Sequence, residues 1–209
     1  MAQVETELPF VIGHRGAAGL APENTLTSII RAKKEGATWV EFDVMLARYG
    51  EAILFHDETI DRTTNGSGAV ADLSLSELRK FDAGLWFDPA FLGERIPTFV
   101  EAMVTLAQQG LGANVEIKPT KGAERETATA VARLIKSDWP SNTAAPVISS
   151  FSEDAIAVVH QEIPEVPRAM LFWKLPTDWR EIVSRYECDA IHMSDRHLTL
   201  SLLADAAAM

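Results

Sequence analysis

ANVEIKPTKGAERETATAVARLIKSDWPSNTAAPVISSF, residues 113–151, is the stretch that decides the architecture. It opens on a short apolar run at 113–117, continues through a helix-spaced segment at 126–137 and closes on a second apolar run at 147–151. Neither run has the clean apolar–polar alternation of a half-exposed strand, so both read as strands buried on two faces. Strand, helix and strand of this kind make a parallel crossover unit, with the helix lying against the sheet. Toward the C-terminus the alternation continues as helix 152–161, strand 168–173, helix 178–186, strand 190–193 and a final helix 198–208. Toward the N-terminus come strand 10–12, a helix opening at Pro22-Glu23-Asn24-Thr25 and ending at Gly36, strands 39–44 and 52–55, and helices 74–82 and 99–109. That gives seven strand candidates. A closed (β/α) barrel has about eight strands, and a doubly wound open sheet is the competing architecture.

Two places break the pattern. Only residues 45–51 separate the second and third strands, too few for a parallel crossover. The connection is either a helix-free return or a local irregularity. At the other end the chain stops at Ala206-Ala207-Ala208-Met209, directly after a helix, where an eighth strand would be due. The sequence therefore reads as one barrel domain, 1–209, that lacks its last strand.

Bulk properties narrow the class. With 209 residues, 47% hydrophobic and 23% charged, the chain is long enough for one packed core and is not of disordered composition. No apolar run approaches the ~18 residues a membrane span needs, and the first ten residues carry two glutamates and no basic cluster, unlike a secretory signal. A single cysteine, Cys188, fits a reducing cytoplasm. The net charge of −11 disfavours nucleic acid as a partner. An anionic small molecule is still admissible, because a bound divalent cation and a few basic side chains can reverse the field within one pocket.

The charged residues are not scattered. His14 and Arg15 follow the first strand, Glu41 and Asp43 lie within the second, His56 and Asp57 follow the third, and Glu116 and Lys118 close the fourth. In a parallel barrel the strand ends face one mouth, where active sites form. Glu41 and Asp43 are two apart and share a face. Three carboxylates brought together repel one another, and a hard divalent cation such as Ca²⁺ or Mg²⁺ relieves that repulsion. His14 and His56 beside it can serve as general acid and base. Arg15 and Lys118 can neutralise phosphoryl oxygens. Trp173, ending the sixth strand, is a candidate apolar wall of the mouth or barrel-top packing. His160, His192 and His197 read as surface or structural residues, and Trp86, Phe87 and Phe91 as packing within a loop region.

Ile12-Gly13-His14-Arg15-Gly16, Pro22-Glu23-Asn24-Thr25, Glu41-Phe42-Asp43-Val44, Phe55-His56-Asp57, Asp61-Arg62-Thr63-Thr64-Asn65-Gly66 and Glu116-Ile117-Lys118, in this order and spacing, resemble the glycerophosphodiester phosphodiesterase family. The resemblance implies a TIM-type barrel with a small insertion after the third strand, here about 58–93, and no helix between strands two and three. It implies Glu41, Asp43 and Glu116 as ligands of Ca²⁺ or Mg²⁺, His14 and His56 as the acid/base pair, and Arg15 and Lys118 as phosphate holders. The implied reaction splits a glycerophosphodiester into glycerol 3-phosphate and an alcohol such as choline, ethanolamine or glycerol. The family continues into a further strand that is absent here. Two alternatives stand beside this reading: a barrel phosphodiesterase acting on lysophospholipids or phosphoinositides, and a catalytically idle binding protein. The sequence leaves the oligomeric state open.

Overall fold

The structure is a computed structural model, and it describes residues 8–207. The N-terminal residues 1–7, read above as lacking a secretory signal, and the chain end at 208–209 lie outside the described residues. Six strands, β1 (Trp39–Leu46), β2 (Ala52–Leu54), β3 (Gly112–Ile117), β4 (Val147–Ser150), β5 (Arg168–Phe172) and β6 (Ala190–Met193), join one sheet in the order β2-β1-β3-β4-β5-β6. All neighbours pair in parallel except β1 and β2. The helices are α1 (Leu26–Lys34), α2 (Leu75–Leu78), α3 (Phe99–Gln109), α4 (Glu124–Asp138), α5 (Glu153–Glu162), α6 (Trp179–Arg185) and α7 (Leu200–Ala207).

Which face the helices cover separates the barrel from the doubly wound sheet. Val40, Phe42 and Val44 of β1, Val115 and Ile117 of β3 and Ile148 of β4 all point to one side. There they pack on Ile29 of α1, Phe99 and Leu106 of α3, Val131 of α4 and Val159 of α5. Met170 and Phe172 of β5 continue that layer against Trp179 and Ile182 of α6. The opposite face holds a different core, in which Trp39, Val147 and Ala169 meet one another and the partly buried Leu8, Ile12 and Ala190. Helices on one face and side chains from several strands on the other is the barrel arrangement, not the doubly wound one. Above this apolar floor the interior face carries Glu41, Asp43 and Ser149, each an even number of residues from a floor position on its strand, and Asn114 and Glu116, which pair in register with Glu41 and Asp43.

Two expectations need correction, and one open choice is decided. Residues 10–12 do not form a strand; their pairing is reduced to one parallel bridge between Gly13 and Val40. Phe10 and Val11 stand in solvent, and past the bridge the backbone leaves the sheet at Arg15 and Gly16, both at positive φ. β2 is antiparallel, so the short 45–51 connection is a helix-free return, a hairpin with Val44 opposite Leu54 and Leu46 opposite Ala52. The helix expected at 74–82 is only four residues long. Its capping box of Ser74 and Glu77 forms, but Asp82 serves the following loop instead, accepting from the backbone N–H groups of Gly84, Leu85 and Gly93.

The region after β2 builds its own small core on the hairpin. Ile60, Val70, Leu78, Ala83 and Ile96 close around Met45, Ile53 and Phe55. Trp86, Phe87 and Phe91 pack edge-on against one another there, with centroids 5.6 and 5.5 Å apart.

Candidate active site

β1 and β3 pair in register so that Asp43 lies opposite Glu116 and Glu41 opposite Asn114. This brings one carboxylate oxygen from each of Glu41, Asp43 and Glu116 within 4.8 Å of the others. Burial, then the charge of Asp43, pushes Glu41 up to about 8 and Glu116 to about 7. Glu41 Oε1 and Glu116 Oε1 are buried without a hydrogen-bond partner. Buried acceptors left unpaired among mutually repelling carboxylates are what a hard divalent cation with oxygen ligands satisfies. The three residues fit such an ion.

β1 runs two residues past Val44, and the hairpin then turns the chain back, so that Phe55 N–H bonds to Asp43 O. His56 therefore re-enters the mouth beside the triad. Its Nε2 lies 2.6 Å from Lys118 Nζ and its Nδ1 2.5 Å from Asp57 Oδ1. The lysine ammonium can only donate, so Nε2 accepts and the ring proton sits on Nδ1, directed at Asp57. Lys118 Nζ is also 3.6 Å from Glu116 and 3.8 Å from Asp43. Arg62 first, and His56 after it, holds the Asp57 carboxyl down at about 2 against a smaller cost of burial.

On the opposite side, the 13–16 turn places His14 and Arg15. Arg15 has φ 48°, which aims its backbone N–H at Glu41 Oε2, 2.9 Å away. Its guanidinium reaches Glu23 at 2.6 Å and Asp43 at 3.3 Å. His14 Nε2 is 3.9 Å from Glu41 and its side chain is 69% exposed, leaving it free to meet a ligand. Two grooves flank the cluster. One, of about 460 Å³, runs from Glu116 and Lys118 past Lys121 to Phe151. The other, of about 700 Å³, lies beside His14 and is walled by Val11, Ala17 and Leu20.

The residues 14–207 match the model of the glycerophosphoryl diester phosphodiesterase family. The chain belongs to that family. Among curated relatives, a glycerophosphodiester phosphodiesterase of Caldanaerobacter subterraneus is 46% identical over 52% of this chain and 44% of its own length. One from Bacillus subtilis is 34% identical over 77% of this chain and 58% of its own. The chain thus spans about half the length of these relatives. An Oleispira antarctica phosphodiesterase solved with the product sn-glycerol-3-phosphate superposes with a TM-score of 0.93 at 37% identity, over 96% of this chain and 81% of that one. This family member accordingly has the TIM-type (β/α) barrel fold.

Seven of the eight residues singled out in the sequence, His14, Arg15, Glu41, Asp43, His56, Glu116 and Lys118, meet in this one cluster. Trp173 is apart from it: 63% exposed at the end of β5, it meets the His197 ring edge-on at 6.5 Å. His160 is half-buried, with Nδ1 3.2 Å from Arg168 Nη1, and burial lowers the pKa of His192. Sequence reasoning missed the roles of Glu23, Asn24, Asp57 and Arg62. Read as a helix start, Pro22-Glu23-Asn24-Thr25 puts Glu23 in the first turn; in fact Thr25 is the cap. Glu23 and Asn24 lie before the helix and face the site. Asn24, with φ 55°, donates its amide to Asp43 Oδ2 at 2.8 Å and accepts from Asp43 N–H at 3.2 Å.

Proposed function

We propose that this chain hydrolyses glycerophosphodiesters to glycerol 3-phosphate and an alcohol. The observation that carries this reading is the convergence of a buried carboxylate triad, two histidines and two cationic side chains at one mouth. Glu41, Asp43 and Glu116 would hold the divalent cation, Ca²⁺ or Mg²⁺, which when bound supplies Lewis-acid polarisation of a phosphoryl oxygen. Arg15 and Lys118 place positive charge against the phosphate as charge develops on it. One of His14 and His56 takes the proton of the nucleophile, water or a neighbouring glycerol hydroxyl, as its oxygen bonds to phosphorus. The other gives a proton to the departing alcohol oxygen as the old P–O bond breaks. The groove beyond Lys118 gives that alcohol a place.

The test is release of glycerol 3-phosphate from glycerophosphocholine with Ca²⁺, with Mg²⁺ and with EDTA. Product is expected only with metal, and His14→Ala and His56→Ala should each lower turnover about 10²-fold or more. Unchanged rates in both variants would remove the acid/base assignment, and binding without turnover would mark a ligand-binding protein. A second reading rests on the apolar groove beside His14, whose walls suit an acyl chain. Faster turnover of lysophosphatidylcholine than of glycerophosphocholine would favour it. No helix among the described residues is long and apolar enough to cross a membrane. A reducing compartment such as the cytoplasm suits the single cysteine, Cys188.

A further inference from the structure

Arg62 lies in the segment after β2, outside the triad and outside the set of histidines and cations, yet its guanidinium makes four hydrogen bonds into the site. Nε and Nη2 donate to Asp57 Oδ2 and Oδ1 at 2.6 and 3.1 Å. Nη1 and Nη2 donate to Glu23 Oε2 and Oε1 at 2.9 and 2.7 Å. Each of these carboxylates also holds a residue of the site: Asp57 Oδ1 faces His56 Nδ1 at 2.5 Å, and Glu23 Oε1 accepts from Arg15 Nη1 at 2.6 Å. One planar fork thus spans the two sides of the mouth, with Arg62 and Glu23 39 residues apart in the chain.

We propose that Arg62 is a positioning residue that fixes the tautomer and orientation of His56 through Asp57, and the pose of Arg15 through Glu23. The inference rests on the phosphodiesterase reading above for its effect on turnover, though not for its effect on His56.

An exposed ion pair is ordinarily worth little, because holding two long side chains costs entropy. Here the fork is bidentate on both partners, a geometry that guanidinium meets and an ammonium does not. The loop that carries Arg62 is tied down independently of it. Thr64 Oγ1 donates to Ile60 O at 2.7 Å and accepts from Gly66 N–H at 3.0 Å, Asn65 Oδ1 accepts from Asp82 N–H at 2.8 Å, and Ile60 is fully buried. Arg62 therefore presents a fixed donor array to two partly buried carboxylates. Without it Asp57 has one remaining partner, the imidazole it is meant to orient, and the tautomer rests on Lys118 at Nε2, a side chain that also serves the phosphate. Its role is to keep the proton on Nδ1 when Lys118 leaves Nε2, so that Nε2 faces the mouth as the working nitrogen.

The test compares Arg62, Arg62→Gln and Arg62→Lys, each in a Lys118→Met background that frees Nε2, by long-range ¹H–¹⁵N spectra of His56 in mildly alkaline, metal-free buffer, and the same Arg62 variants with Lys118 intact by turnover of glycerophosphocholine with added metal. With Arg62 intact His56 is expected as the Nδ1–H tautomer alone, and in both Arg62 variants as a mixture. Turnover in Arg62→Gln should fall about tenfold or more, since small misplacements of catalytic groups are costly, and Arg62→Lys should recover little of it. A single Nδ1–H tautomer in both variants overturns the proposal, whatever the turnover. If the wild type releases no product while the tautomer shift is seen, the phosphodiesterase reading fails and the positioning role stands. Thermal melts accompany both measurements; should Arg62→Gln unfold, Arg62→Lys, which keeps the charge, decides the question by its His56 spectrum.

Discussion

Asn24 owes its position to one backbone angle and one side-chain contact. At φ 55° it occupies the left-handed region, which asparagine tolerates better than most residues. That turn lets its amide bond Asp43 twice, as donor to Oδ2 and as acceptor from the backbone N–H. Asp43 is almost wholly buried, so its orientation depends on such partners. Asn24→Gly keeps the backbone freedom and removes the amide. It is expected to weaken Ca²⁺ or Mg²⁺ binding by roughly 10- to 100-fold, the usual effect of losing a partner that orients a metal ligand. Titration calorimetry would measure it, and an unchanged affinity would show that Asp43 needs no such support. Glu41 and Asp43 themselves were legible from sequence because spacing of two on a strand dictates a shared face. Asn24 was not, because its contact is 19 residues away and its turn imitates a helix start.

The β1–β2 hairpin is the element that carries His56 into the site. Its turn is closed by Gly50 N–H to Ala47 O and Ala47 N–H to Glu51 O, both 2.9 Å. Gly50 has φ 86°, the left-handed residue that follows a tight turn in a three-residue hairpin loop. A Cβ at Gly50 would touch nothing within 4 Å, so Gly50→Ala is a test of the backbone alone. It should lower stability by about 1–2 kcal/mol, read as a shift in urea midpoint; no shift would mean that the turn relaxes without cost. The sequence set limits here without deciding. A seven-residue connection excluded a parallel crossover, but antiparallel return and local distortion look alike until the partner strand is known. Helices were read more closely: Phe99–Gln109 agrees with its expected span, because its capping box with Thr98 and Glu101 and the left-handed Gly110 that ends it are local signals. Residues 10–12 misled for the opposite reason. Their apolar character suits a strand, but membership of a sheet depends on neighbours, and theirs amount to one bridge.

At the scale of the molecule, a net charge of −11 coexists with a mouth where two cationic side chains and three carboxylates compete. The carboxylates are placed there by the register of two buried strands, at a cost in burial that gives stability a definite pH dependence. Glu41 and Glu116 are pushed up, to about 8 and about 7, chiefly by burial. With folded pKa values above the unfolded ones, the metal-free native state holds more protons than the unfolded chain between the ordinary glutamate range and about 8. Stability must then fall as pH rises through that window. Asp57, held down at about 2 chiefly by its hydrogen bond to Arg62, works in the opposite sense. Its contribution is present above the ordinary aspartate range and is lost as pH falls toward 2. The metal-free protein should therefore be most stable in mildly acid solution. A divalent cation binds the deprotonated triad, so its binding releases protons and strengthens with pH. The rise in melting temperature on adding saturating Ca²⁺ or Mg²⁺ should be larger at pH about 8 than at pH about 5. Melts in EDTA and in metal across this range would measure it. Equal rises at both ends, or a metal-free protein that gains stability toward pH 8, would mean that Lys118 and Arg15 already neutralise the triad and that burial is not what raises its carboxyls.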